Sequence, residues 1–259
     1  MTHGLTPDLV PNARRLAHMF LRHNAPMLWA QMMASGTPFL VPEEIAHLGI
    51  PEQARWLAAA EARRVAKARL FHLDVEATRA AIHAGSVFTD RAYALGSSLP
   101  PAEYGLLVWA EDVSASAGGV DVIACHWQVR DDGVWTVWWT DAVTFTRAQL
   151  AAGTYDQAKV KSLLELHGVL MYDRERLLPY GVGELDGTPP DAAMDARVRA
   201  LTHTTIATWA MLSTGLTPTT VLPGPTGTVA GLAPIPGADD SVTVATAPTP
   251  TDPAQIFPP

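Results

Sequence analysis

The chain contains a single cysteine, Cys125. One thiol excludes an internal disulfide and any zinc site that is built from several cysteines. No run of about 18 apolar residues is free of charge, as a membrane-spanning helix requires. The first residues also lack the basic and then apolar pattern of a secretory signal. We therefore expect a cytoplasmic protein that does not enter a membrane.

Sequence patterns of the common catalytic and cofactor sites are missing as well. The nine histidines form neither HExxH nor HxH, spacings that bring two imidazoles to one metal ion. Gly118-Gly119 is not followed by Lys-Ser or Lys-Thr, and no serine lies in a Gly-x-Ser-x-Gly turn. We predict no metal and no cofactor, and whether the chain is an enzyme stays open.

Positive charge is scarce, because 18 Lys and Arg face 26 Asp and Glu, for a net charge of −8. The distribution is uneven: residues 1–70 sum to +3 and the remainder sums to −11. This asymmetry predicts a basic surface near the N-terminal end. A charge of +3 is nevertheless small beside the basic stripe of a typical nucleic-acid-binding domain.

Tryptophan, by contrast, is concentrated: five of the eight tryptophans fall between Trp109 and Trp139. Alternating residues over 121–129 and the Val-, Thr- and Trp-rich segment 134–140 predict two paired strands. A three-residue loop at 131–133 pairs Val129 with Trp135, Trp127 with Val137 and Cys125 with Trp139. We favour it because it collects the apolar side chains on one face.

The other face in that register carries a histidine beside polar side chains and is a candidate ligand site. We list its members as His126, Gln128, Arg130, Thr136, Trp138 and Thr140. One histidine with polar and aromatic neighbours suits a small anionic or aromatic ligand. A structural role for His126, under a helix that covers this face, is the competing interpretation. Cys125 is predicted to be a buried, inert thiol.

Helical patterns dominate the first seventy residues. Pro42-Glu43-Glu44 and Pro51 each suit the start of a helix, and segments 42–49 and 51–69 together resemble a helix-turn-helix. Arg55, Arg63 and Lys67 lie near one face of the second segment and are the candidate nucleic-acid-binding residues. However, Ala46 precedes Gly49 by three positions, where the motif has a small residue four positions before the turn glycine. An ordinary solvated helix face explains the same residues.

The rest of the chain supplies the remaining elements of the predicted fold. We expect strands near 70–74 and at 104–111, the latter antiparallel, a helix over 155–170, a loop at 171–187 and a closing helix over 188–215. From residue 216 onward there are ten prolines and neither Lys nor Arg, which is typical of a flexible segment.

These patterns predict an α+β fold with a central antiparallel sheet that is covered by helices. A single domain spans 1–215, with a helical layer at 1–68, the sheet region at 69–187 and the closing helix at 188–215. Residues 216–259 form a flexible Pro-rich tail.

Three segments resemble a family of uncharacterised proteins from actinobacteria and their phages: RLFHLDVEATRAAI, LPPAEYGLLVWAEDV and VDVIACHWQVRDDGVWTVWWTD. The late segment IATWAMLSTG is similar to the closing Thr-Trp helix of that family. Fifteen arginines against three lysines also suggest a GC-rich genome. The resemblance implies an actinobacterial or phage origin and carries over no functional residue.

We carry three functional hypotheses. The leading one is a non-enzymatic interaction or regulatory protein with a protein partner, because catalytic patterns are missing and the charge is asymmetric. The second is a small-molecule-binding protein or enzyme that uses the His126/Trp138 face of the sheet. The third is a DNA-binding regulator that uses segment 42–69.

Overall fold

The computed structural model describes residues 5–87, 92–114, 120–167, 169–184, 192–225 and 232–246. Its helices in these ranges are α1 (Val10–His23), α2 (Ala25–Ala34), α3 (Ile50–Lys67), α4 (Val75–Val87), α5 (Ala142–Ala151), α6 (Gln157–His167) and α7 (Ala192–Ser213). The strands are β1 (Arg69–Leu73), β2 (Ala92–Leu95), β3 (Tyr104–Trp109), β4 (Val122–Arg130), β5 (Gly133–Asp141), β6 (Leu170–Pro179), β7 (Gly181–Glu184), β8 (Thr219–Leu222) and β9 (Val242–Ala245).

Seven strands form one mixed sheet in the order β6-β5-β4-β3-β1-β9-β8. β1 runs parallel to β3 and to β9, and the other neighbouring strands are antiparallel. β2 and β7 form a separate antiparallel pair. The predicted α+β class is confirmed, and β3 joins β4 as an antiparallel strand, as expected. The sheet is mixed rather than antiparallel throughout, because β1 runs parallel to both of its neighbours.

Helices cover both faces of this sheet. The face that we call the α3 face packs against α1, α2 and α3, and the face that we call the α7 face packs against α4 and α7. Apolar side chains of both faces are buried, for example Leu106, Val137 and Trp139 on the first and Leu107, Trp127 and Trp138 on the second. A sheet that is covered twice needs apolar residues at nearly every position of its central strands, which accounts for the tryptophan-rich segment.

The predicted hairpin register is wrong by one residue. The structure pairs Arg130 with Gly133 around a two-residue Asp131-Asp132 turn, and it pairs Trp127 with Thr136. The prediction chose the register that places the apolar side chains on one face. This criterion does not distinguish the two registers, because helices bury both faces of the sheet and neither register exposes apolar surface. The turn depends on Gly133, where an added Cβ would lie 2.2 Å from the Leu178 carbonyl oxygen.

The predicted tail also needs correction where it is described. β9 lies inside the sheet between β1 and β8, so residues 219–222 and 242–245 belong to the domain rather than to a tail. Asp240 holds them further, because its carboxylate bridges the buried guanidinium groups of Arg14 and Arg15. A single acidic residue thus forms ion pairs with two buried cations of α1. Residues 247–259 lie outside the described part.

Two further local predictions change. Segment 171–187, expected to be a loop, contains β6 and β7 up to Glu184, and residues 185–187 lie outside the described part. Its charged run fits the end of a sheet, where charges hinder pairing with another chain. In segment 42–49 only a 3-10 turn forms, over Glu43–Ile45. The first helix of a helix-turn-helix is therefore not present ahead of α3.

Candidate functional site

The centre of the α3 face is a buried polar network around Glu61. This carboxylate points from α3 onto β4 and β5 and is 3% exposed. Its Oε2 lies 2.6 Å from His126 Nε2, and its Oε1 accepts a hydrogen bond from Trp135 Nε1 at 2.9 Å. Arg64, one turn later on α3, makes an ion pair with Oε1. Burial opposes ionisation, but the hydrogen bond from His126 and the charge of Arg64 hold the pKa of Glu61 below its ordinary value.

His126 has both ring nitrogens engaged in this network. The indole N–H of Trp139 can only donate, and it lies 2.9 Å from His126 Nδ1. Nδ1 is therefore the acceptor, and Nε2 carries the proton that is donated to Glu61. The ring is fully buried, so His126 offers no free nitrogen to a ligand. The structural interpretation of this histidine fits the geometry.

The candidate ligand residues are divided between the two sheet faces. His126 and Gln128 lie on the α3 face, whereas Thr136, Trp138 and Thr140 lie on the α7 face. There Trp138 Nε1 donates to Thr205 Oγ1 at 3.0 Å, and Thr140 Oγ1 donates to the Met171 carbonyl at 3.1 Å.

Arg130, the remaining member, lies near the turn and binds Asp132 through Nε at 3.0 Å. The single-residue change in register separates the set, since it exchanges the two faces of β5. Sequence reasoning grouped these six residues, and the fold does not.

A surface cavity does unite members of the two candidate sets. We call it the basic pocket: about 190 Å³ between α3 and the ends of β3 and β4. Its lining residues are Trp56, Ala60, Arg63, Arg64, Lys67, Tyr104 and Gln128. The five from α3 recur at steps of three and four, which places them on one side of the helix. Gln128 was predicted as a ligand residue, and Arg63 and Lys67 as nucleic-acid contacts.

The cations of the basic pocket differ in how they are held. Arg64 is fixed, because it binds Glu61 and donates from Nε to Gln128 Oε1 at 2.8 Å. Lys67 Nζ lies 5.0 Å from the centre of the Tyr104 ring, within the range of a cation–π contact. Within the described ranges no carboxylate forms an ion pair with Arg63 or Lys67. Since Glu61 already offsets Arg64, the pocket carries an excess of two positive charges.

Arg55 does not belong to this pocket. It is exposed on the first half of α3 and binds Glu52 at 2.6 Å. Conversely, sequence reasoning missed Arg64 and Tyr104. Arg64 was detectable from its position one turn after Glu61, but Tyr104 required knowledge of which strand lies under α3.

Other chemistries find little support in the described residues. Burial raises the pKa of the Cys125 thiol, as expected for an inert cysteine. Within the ranges given above, no three His, Cys, Asp or Glu side chains cluster as a metal site. Over the same residues, every helix is too short or too polar to cross a membrane.

Comparison with known protein families, curated proteins and solved structures gave no match to this chain. The resemblance to an actinobacterial and phage family therefore stays a prediction from the sequence. The geometry of the described residues is what supports a function.

Proposed function

We propose that this chain is a non-enzymatic interaction protein whose basic pocket binds an acidic side chain of a partner protein. The observation that carries the proposal is the pair Arg63 and Lys67, two exposed cations that share one concave site without a carboxylate partner among the described residues. Neighbouring uncompensated charges of one sign create a local potential that attracts an anion. A carboxylate that binds between Arg63 and Lys67 reduces the repulsion between these two cations.

The pocket suits a carboxylate-bearing side chain in both size and composition. Its volume of about 190 Å³ accepts one side chain rather than a cofactor. Arg64 is already oriented by Glu61 and Gln128, so little side-chain entropy is lost when its guanidinium meets a second acceptor. Trp56 and Tyr104 supply an apolar rim, and aromatic side chains and arginine are both enriched at the centres of protein interfaces.

Charge favours a protein partner over nucleic acid. Specific DNA binding uses several phosphate contacts along a basic surface, whereas here the cations surround one small cavity. A ligand site that His126 and Trp138 share is less favoured, because His126 is enclosed and Trp138 lies on the other face, where it lines a separate cavity.

The test is a titration of the ¹⁵N-labelled protein with an octaglutamate peptide at low salt, followed by NMR. We expect shifts at the Trp56 indole N–H and at the amides of the pocket, and we expect the R63E/K67E double variant to lose them. The matched control is R55E, which reverses a charge on the same helix outside the pocket and is expected to keep the shifts.

Two kinds of result would overturn the proposal. The first is a failure of the expected peptide binding, in which the unmodified protein does not bind the peptide or R63E/K67E binds it equally well. The other is a short DNA duplex that shifts the same resonances at a lower concentration than the peptide and with a steep salt dependence. That second result would establish nucleic acid as the partner.

A further inference from the structure

A second and larger cavity lies at the free edge of the sheet. We call it the edge cavity: about 540 Å³ beside β6, the terminal strand. Six consecutive residues of β6, 172–177, form one side, and the segment 37–40 that follows α2 forms another. Its size lies within the range of cavities that hold small organic molecules. The cavity shares no lining residue with the basic pocket.

Aromatic rings form part of the wall. Phe39 and Tyr172 both line the cavity, with ring centres 6.2 Å apart and planes inclined by 11°. The buried Trp29 supports them, because its ring centre is 5.0 Å from that of Tyr172. Parallel rings supported in this way offer an apolar surface and the negative electrostatic potential of aromatic faces.

A carboxylate with an incomplete set of partners lines the same cavity. Glu175 Oε1 accepts a hydrogen bond from the backbone N–H of Leu40 at 3.0 Å. In the described part of the chain, no Lys, Arg or His side chain forms an ion pair with this carboxylate. Burial raises the pKa of Glu175 to about 7. Ionising a half-buried carboxylate that lacks a cation is costly, and a cationic ligand would relieve that cost.

Arg174 and Arg176 of β6 also line the cavity, but neither forms an ion pair with Glu175 among the described residues, because strand alternation places their side chains on the opposite side of β6. Glu175 pairs with Val137 of the α3 face, whereas Arg174 and Arg176 pair with Trp138 and Thr136 of the α7 face. Arg174 binds Asp173 there at 2.8 Å. Glu175 is therefore the charged lining residue on the α3 side of β6, and the two arginines line the cavity from the α7 side.

We infer that the edge cavity binds a small organic cation with an apolar body, with its ammonium group against Glu175 and its body against Phe39 and Tyr172. The carboxylate pairs with the ammonium, and the ring faces add a cation–π attraction that strengthens where water is excluded. The adjoining apolar side chains of Met32 and Leu177 bury the hydrocarbon part of the ligand. This site is independent of the proposed partner pocket.

The test uses phenethylamine and its neutral analogue 2-phenylethanol, titrated by calorimetry at pH 8, where Glu175 is mostly ionised. We expect the protein to bind the amine at least about tenfold more tightly than the alcohol. In E175Q we expect the two affinities to become similar, because the amide keeps the shape and removes the charge. E165Q, which neutralises an exposed glutamate of α6, is the control and should keep the preference.

The site is checked at the same time by NMR, where the amine should shift the amides of residues 172–177 and of Thr37, Phe39 and Leu40. Equal affinity of the unmodified protein for amine and alcohol, or binding of neither, would overturn the inference. So would an E175Q variant that keeps the preference, or shifts that occur only elsewhere. The thermal unfolding of E175Q establishes that the variant is folded before its binding is interpreted.

Discussion

Glu61, which is buried, and Glu175, which is half-buried, are two carboxylates on the same side of one sheet, and their pKa values shift in opposite directions. Glu61 meets His126, Trp135 and Arg64, and its pKa is lowered despite burial. Glu175 meets one backbone N–H from another segment, and burial raises its pKa to about 7. The protein thus supplies a full set of hydrogen-bond and ion-pair partners to Glu61, whereas Glu175 lacks a cation and lies beside a cavity.

This contrast distinguishes a carboxylate that stabilises the fold from a carboxylate that can bind a ligand. A buried charge that is satisfied internally stabilises the fold and has no capacity left for a ligand. A desolvated carboxyl group that lacks a cation lowers the stability of the fold whenever it is ionised. Groups of this kind are found at functional sites, where binding of a ligand offsets the cost. Measurements of stability can therefore break or sharpen the distinction between Glu61 and Glu175.

The largest effect is expected for E61A. Removing the carboxylate leaves the indole N–H of Trp135, the N–H of His126 and the guanidinium of Arg64 without their common acceptor. Breaking a buried pair of this kind costs about 3–5 kcal/mol of unfolding free energy, to be measured by urea denaturation at pH 7. Because folding lowers the pKa of Glu61, its contribution is full above its unfolded pKa of about 4.3 and is lost as the pH falls through the folded value.

E165A is the control for this measurement, since Glu165 is exposed and pairs only with Lys161 of the same helix. A surface change of this kind alters stability by less than about 0.5 kcal/mol. A loss below about 1 kcal/mol in E61A would show that the network contributes little and that the comparison with Glu175 is unfounded.

E175Q is expected to have the opposite sign. The folded pKa of about 7 lies above the ordinary value of 4.5, so the folded protein holds its proton longer than the unfolded chain does. The resulting stability is full below the unfolded pKa and is lost as the pH rises through 7. Glutamine mimics the protonated form, so E175Q should be more stable than the unmodified protein by roughly 2–3 kcal/mol at pH 8 and equal to it at pH 4.

Thermal and urea unfolding at the two pH values measure this difference. Burial is the main cause of the raised pKa of Glu175, and the neighbouring carboxylate of Glu61 adds to it. If E175Q were destabilised at pH 8, the ionised carboxylate would be satisfied within the protein and the cation site would lose its basis.

Sequence reasoning found the elements of the fold better than it found their relations. The tryptophan-rich strands, the strand near residue 70 and the closing helix follow from periodicity and propensity, which are local. The register of β4 with β5 does not, because it depends on α7, some sixty residues later, covering the second face. The strands after residue 216 were missed because their stabilising partner, the Arg14–Asp240–Arg15 contact, joins distant parts of the chain.

The candidate sites show the same limit. Arg63 and Lys67 were recognised from their spacing on one helix, and they do line one cavity. His126 was recognised as unusual, but its role required Glu61, which lies sixty-five positions earlier and approaches it from α3. Glu175 carried no local signal, since its burial arises from residues 37–40 and its pKa from that burial.

The smallest effect is expected on the other side of the sheet, where the indole N–H groups of Trp109, Trp127 and Trp138 donate to neutral acceptors. Trp138 Nε1 donates to Thr205 Oγ1 at 3.0 Å, and this hydroxyl donates in turn to the Leu201 carbonyl at 2.7 Å. T205V keeps the shape and leaves the indole N–H unsatisfied, so we expect a loss of about 1–2 kcal/mol in urea unfolding. The loss should be unchanged between pH 4 and pH 8, because neither group titrates there.

T205S is the matched control for this variant because it retains the hydroxyl and deletes only a methyl group. We expect T205V to be the less stable of the two although valine is the more apolar, since the cost lies in the unpaired N–H rather than in packing. If T205S were instead the less stable, packing would dominate the α7 face. Packing would then decide the stability of the α7 face, and hydrogen bonds would be decisive only on the α3 face, where the acceptor Glu61 is charged.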